Sequence, residues 1–125
     1  MKKIILTDKA PAPIGPYSQG VEINGLLFFS GQIAIDPAEG RIVATDVEGQ
    51  TRQVLANIAA LLKEAGLTAE NVAKTTVFIK NIADFSKVNA LYAGMFGGDT
   101  PARSCVEVSN LPAGALVEIE IVAAR

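Results

Sequence analysis

The sequence predicts an α+β fold: one mixed sheet with two helices packed on one of its faces, in the order ββαβαββ. Three observations carry this. Two stretches repeat their apolar residues on the 3.6-residue period of a helix. Several shorter runs alternate in polarity or are rich in β-branched residues, as strands are. Turn and stop residues separate one run from the next. The 125-residue length fits one domain spanning 1–125, and no linker-like stretch or internal repeat divides it.

The elements follow in order. A short strand is expected around Ile4 to Thr7, and then an extended, ordered loop from Ala10 to Pro16 that holds three prolines. Gly20 to Ile23 leads into Asn24-Gly25, a pair suited to a two-residue type I′ turn, so Leu26 to Ile35 returns as the second arm of a hairpin. Asp36-Pro37 and Glu39-Gly40 end that arm. The first helix is capped by Thr45 or Asp46 and carries Val47, Val54, Leu55, Ile58, Leu61, Leu62 and Ala65 on one stripe, with Gly66 as its stop. Val72 to Lys80 reads as a strand. Asp84 is expected to cap a second helix with Phe85, Val88, Leu91, Tyr92 and Met95 on one face, ended by Gly97-Gly98. Arg103 to Val108 and Ala115 to Ala124 read as the last two strands, and crossovers of one hand put both helices on the same side of the sheet.

Composition excludes several chemistries. The chain has no histidine, so imidazole triads, imidazole proton shuttles and His metal sites are ruled out. The one cysteine, Cys105, forms no internal disulfide or thiolate cluster, which fits a reducing compartment. A net charge of −2 with scattered charges argues against nucleic acid or an anionic membrane as partner. No apolar run approaches the ~20 residues needed to span a bilayer, and the start of the chain is too short in apolar residues for a secretory signal. A cytoplasmic location is expected.

Strand parity then assigns faces. Val117, Ile119, Ile121 and Ala123 share one face of the last strand, and Glu118, Glu120 and Val122 the other. In the preceding strand Val106 and Val108 oppose Arg103, Cys105 and Glu107. If the apolar sets meet the helices, Arg103, Cys105, Glu118 and Glu120 point away from them, and they approach one another if the two strands pair. Phe28 opposes Leu27 and Phe29, and Phe78 opposes Val77 and Ile79, so both sheet faces carry large apolar groups. The helix-free face is therefore expected to be covered by other copies of the chain.

Each candidate residue has a functional and a structural reading. Arg103 opens a strand after Thr100-Pro101-Ala102, where a guanidinium grips a carboxylate through two parallel hydrogen bonds; the alternative is an ion pair with Glu118 or Glu120. Glu118 is a candidate base or water-positioning group, or else one arm of an interface salt bridge. Cys105 has no histidine to activate it and reads as a small residue beside a pocket. Tyr17 and Ser30 are ordinary taken alone, and Asn89 interrupts an otherwise apolar helix neighbourhood.

These segments together resemble the RidA (YjgF) family of imine deaminases over nearly the whole chain. The resemblance runs through Ala10-Pro11-Ala12-Pro13-Ile14-Gly15-Pro16-Tyr17-Ser18-Gln19-Gly20, Phe29-Ser30-Gly31-Gln32 and Lys74-Thr75-Thr76-Val77-Phe78. It continues through Pro101-Ala102-Arg103-Ser104-Cys105-Val106-Glu107-Val108, then Leu111-Pro112 and Val117-Glu118-Ile119-Glu120. It implies a chorismate-mutase-like fold, a homotrimer with pockets between subunits, and hydrolysis of 2-iminobutanoate and 2-iminopropanoate to 2-oxo acids and ammonia. Those imines leave pyridoxal-phosphate dehydratases, and the resemblance implies no cofactor and no metal. By position, Arg103 resembles the arginine that binds the substrate carboxylate, and Glu118 the glutamate that activates water. Tyr17, Ser30, Asn89 and Cys105 resemble pocket-lining residues, with backbone groups near Gly31 and Cys105 at the imine end. The connection through Gly97-Gly98-Asp99 is shorter than in many relatives, which bears on substrate size if it borders the pocket. The competing functions are a non-catalytic 2-oxo acid sensor, a chaperone-like binder and, with less support from charge, an endoribonuclease.

Overall fold

Eight strands and two α-helices form along residues 1–125 of the computed structural model. They are β1 (Lys3–Ile5), β2 (Gly20–Ile23), β3 (Leu26–Gln32), β4 (Ile35–Asp36), β5 (Arg41–Ile42), α1 (Val47–Glu64), β6 (Val72–Ile79), α2 (Phe85–Met95), β7 (Ala102–Glu107) and β8 (Val117–Ala124). Local chemistry explains the boundaries. Asn24 and Gly25 both have positive φ, 52° and 78°, as the type I′ turn between β2 and β3 requires. Asp46 caps α1, its Oδ1 accepting from the Gly49 amide at 3.2 Å. At the other end Gly66 has φ 74°, which lets the Leu67 amide reach the Leu62 carbonyl at 2.8 Å and the Gly66 amide reach that of Lys63 at 3.0 Å.

Two expectations shift here. The side chain of Asp84 makes no cap hydrogen bond. Instead Asn81 accepts from the Ala83 amide and opens a 3-10 turn, Ile82–Asp84, that runs straight into α2. The return arm after Gly25 also ends at Gln32, and the turn-prone residues around Gly40 close a separate two-stranded hairpin, β4–β5.

Six strands form one sheet in the order β1-β2-β3-β8-β6-β7. β8 runs antiparallel to both neighbours, β3 and β6, while β6 and β7 are parallel and joined through α2. The last strand is thus central, and β7 is an edge. The core lies between the sheet and the two helices. Leu27, Phe29, Val77, Ile79, Val117, Ile119 and Ile121 meet Val54, Ile58, Leu61 and Leu62 of α1 and Val88 and Tyr92 of α2 in one buried cluster. Each such aliphatic side chain contributes about 1.5–3 kcal/mol by leaving water.

Removing one of these side chains leaves a cavity the sheet and helix do not close. Leu61→Ala is expected to cost about 2–5 kcal/mol, and Asp46→Ala about 1 kcal/mol through its lost cap. Urea unfolding of the two variants against the parent chain checks both magnitudes.

Candidate active site

The first functional cluster is built on β8 and a break in β3. Phe29 pairs with Ile121 and Gln32 with Ile119, so three steps along β3 match two along β8. The extra residue is a bulge, and it reverses the parity of the strand beyond it. Gln32 turns inward and is buried, while Ser30 and Gly31 lie beside the even-numbered face of β8. Glu118 rests directly over Gly31. A Cβ at position 31 would stand 2.1 Å from Glu118 Oε2, so only glycine admits the carboxyl there.

Glu118 has no cationic partner; the one side-chain ion pair in the molecule joins Arg125 to Glu22. Burial pushes its carboxyl above the ordinary carboxylate range, and the neighbouring Glu120 pushes it the same way. Both glutamates line a cavity of about 520 Å³ whose other walls include Pro11, Ile14, Tyr17 and Ser30. Ser30 is tied in place: its Oγ donates to the Ser18 carbonyl at 2.6 Å and its amide to the Gln19 carbonyl at 2.9 Å.

The second cluster is the arginine, and it is not where parity put it. Arg103 pairs with Thr75 and Cys105 with Val77, both of which face the helices. Arg103 and Cys105 therefore lie on the helix side of the sheet, and Val106, opposite Phe78, lies on the helix-free side. β7 does not pair with β8, because β6 stands between them. The expectation that Arg103 and Cys105 share a face with Glu118 fails for a physical reason. Both faces of this sheet carry apolar residues, so the polarity of β7 has no sign until its register with β6 is known.

Arg103 is held by three residues of α2 spaced on one helix face. Its Nη1 donates to Asn89 Oδ1 at 2.7 Å, and its guanidinium carbon stands 4.8 Å from the Tyr92 ring centre and 5.4 Å from that of Phe85. The Tyr92 hydroxyl is itself fixed at 2.7 Å to buried Thr75 Oγ1. No carboxylate neutralises Arg103, which leaves its remaining donors free for an anion. Asn89 was legible as an oddity in the sequence; Phe85 and Tyr92 were legible only as apolar positions, although their spacing of four and three around Asn89 marks the cradle. Cys105 packs against the core, and burial pushes its thiol up while the Arg103 guanidinium pulls the other way. A thiol raised in this way is a poor nucleophile.

The structure thus brings Tyr17, Ser30, Gly31 and Glu118 to one place, and Asn89, Arg103 and Cys105 to another across the sheet. The segment from Met95 to Asp99 lines a different cavity with Ala69 and Glu70, which shares no residue with either cluster. No group of three or more acidic or cysteine side chains is placed to hold a metal ion.

Comparison with known proteins adds family context. The family described as Endoribonuclease L-PSP matches residues 7–125. A 2-iminobutanoate/2-iminopropanoate deaminase from Salmonella typhimurium is 48% identical over 128 residues, covering 100% of this chain and 99% of that protein. The crystal structure of a conserved Rid-family protein from Yersinia pestis superposes with a TM-score of 0.97 at 55% identity, covering 100% of both chains. That of Escherichia coli TdcF with bound serine gives a TM-score of 0.93 at 44% identity, covering 98% of each.

The Glu118 environment makes two measurable demands. A carboxyl with a raised folded pKa holds more protons folded than unfolded, so it lowers stability as pH rises through the interval between the two values. Glu118→Gln is therefore expected to exceed the parent in stability near neutral pH and to match it in acid, where both side chains are neutral; urea midpoints across pH read this out. Gly31→Ala must push the carboxyl end aside. It is expected to fold with a loss within about 1 kcal/mol and to bring the Glu118 titration, followed by carboxyl NMR, down towards the ordinary range.

Proposed function

The chain belongs to the RidA (YjgF) family, matched over residues 7–125 as Endoribonuclease L-PSP, and from that premise we propose that it hydrolyses small 2-imino acids to 2-oxo acids and ammonia. The observation that carries this is the pair of uncompensated charges: a guanidinium with no acid partner and a half-buried carboxyl with no basic one. A 2-imino acid needs both. Its carboxylate takes the free donors of Arg103 in a bidentate clamp. Its imine carbon is already electrophilic, so orientation and modest water activation suffice.

In the proposed reaction Glu118 accepts a proton as water attacks the imine carbon, and the C=N π pair moves to nitrogen. The carboxyl then returns that proton to the nitrogen. Glu118, again ionised, takes the hydroxyl proton of the carbinolamine and passes it to the nitrogen as C=O forms and C–N breaks, so the nitrogen leaves as ammonia. A carboxyl raised by burial is better suited to take and return a proton than one in the ordinary carboxylate range. Tyr17, Ser30, Gly31, Asn89 and Cys105 line the pocket in this reading, and no cofactor or metal takes part.

Because Arg103 and Glu118 lie on opposite faces of one sheet, one site holding both takes two subunits. The helix-free face supports that arrangement: Leu26, Phe28 and Val106 stand 43%, 44% and 44% exposed there. We take the assembly to be a cytoplasmic homotrimer of single-domain subunits, with sites between neighbours, acting on imines released by pyridoxal-phosphate dehydratases. Nucleic acid is a poor ligand for this cavity, because its two carboxyls repel phosphate.

The decisive assay follows loss of 2-iminobutanoate by trapping with semicarbazide. The parent is expected to accelerate it, while Arg103→Ala and Glu118→Ala each abolish the acceleration. Refolding the two inactive variants together is expected to restore about a quarter of the sites, those that pair an intact Arg103 with an intact Glu118 across an interface. No recovery on mixing would overturn the shared site, and a parent that is monomeric by light scattering would overturn the trimer.

A further inference from the structure

We infer that Gln19 is a positioning residue that holds the substrate-facing loop of this site, an inference that rests on the deaminase reading. Gln19 is 1% exposed, yet its amide is wholly engaged with backbone. Oε1 accepts from the Thr7 amide at 2.7 Å, and Nε2 donates to the carbonyls of Thr7 at 2.9 Å and Pro11 at 2.8 Å, with that of Ala10 at 3.3 Å. Its own carbonyl takes the Ser30 amide. One residue therefore joins the segment that follows β1, the proline loop and the bulge beneath Glu118.

The loop needs such a clamp. Pro11, Pro13 and Pro16 have no N–H, so the loop offers more carbonyls than donors; the Tyr17 amide takes that of Gly15, and Gln19 takes those of Ala10 and Pro11. Apolar packing anchors the loop at Ala10 but not at its cavity end, where Ile14 and Tyr17 are 87% and 50% exposed. Yet Pro11, Ile14 and Tyr17 line the same cavity as Glu118. The Gln19 amide acts on ligand through that lining and does not itself take part in proton transfer.

The test compares Gln19→Met, close in length but without the amide, with Val54→Ala, a core variant outside the cavity lining, both assayed well below their melting temperatures. Gln19→Met is expected to raise KM about ten-fold or more with kcat changed by less than about three-fold, while Val54→Ala keeps the parental KM. In Gln19→Glu the introduced carboxyl faces carbonyls and donates only when protonated, so its KM is expected to fall towards the parental value as pH falls, beyond any change in the parent. A Gln19→Met that loses stability but keeps the parental KM, or a Gln19→Glu whose KM follows the parent's pH profile, would overturn the proposal. If the parent binds 2-oxobutanoate by calorimetry without turning imine over, the deaminase reading fails alone, and the same ten-fold change is then read in Kd. A parent that does neither overturns both.

Discussion

The central position of β8 is the constraint from which the site follows. A strand with hydrogen-bonded neighbours on both edges has no freedom in register, and its side chains alternate without exception between two faces. Val117, Ile119, Ile121 and Ala123 fill the core, each at 2% exposure or less, so Glu118 and Glu120 must emerge together on the other side. Burial of the odd-numbered residues thus places the acidic group of the site. The bulge in β3 completes the arrangement, because it turns Gln32 inward and leaves the Cβ-free backbone of Gly31 under the Glu118 carboxyl.

The two charges are stabilised by different means. Arg103 stands near the surface, where aromatic faces and one amide oxygen hold it in a fixed pose while leaving donors unused. Glu118 is partly withdrawn from water beside a second carboxyl, which destabilises its ionised form. An anionic ligand with a basic nitrogen is complementary to this pair, whereas a direct Arg103–Glu118 ion pair would have quenched both. The sheet prevents that pairing within one chain by keeping them on opposite faces.

This separation also gives the exposed apolar face a role. A sheet with helices on one side only and Leu26, Phe28 and Val106 open on the other has surface to cover. In the proposed assembly the cover is a second copy, and the same contact brings an arginine cluster towards a glutamate cluster. Apolar burial and site completion then become one event, and catalysis becomes a property of the assembly.

Local chemistry was legible in the sequence. Asn24-Gly25 and Gly66 specify their turn and stop through hydrogen bonds a few residues long, Thr45 and Asp46 both offered the cap of which the structure uses Asp46, and the stripe from Val54 to Leu62 specifies a buried helix face. Residue chemistry and strand parity singled out Arg103, Glu118 and Cys105, and helix context singled out Asn89; resemblance supplied their expected roles and drew in Tyr17, Ser30 and Gly31. The partners of the edge strand were not legible. Whether Arg103 looks towards α2 or away from it depends on the pairing of β7 with β6, a contact between residues nearly thirty positions apart. Alternation along β7 says only that Arg103 and Val106 differ in side, and with apolar residues on both faces no burial preference breaks the tie. The bulge at Ser30–Gly31 was hidden for the same reason: it is a mismatch between two strands, and neither strand carries it alone. The sequence by itself determined which elements form and which side chains hold the charge, because those rest on short-range bonding and residue type. Only the tertiary structure decided which charges share a face, because register is a relation between distant segments.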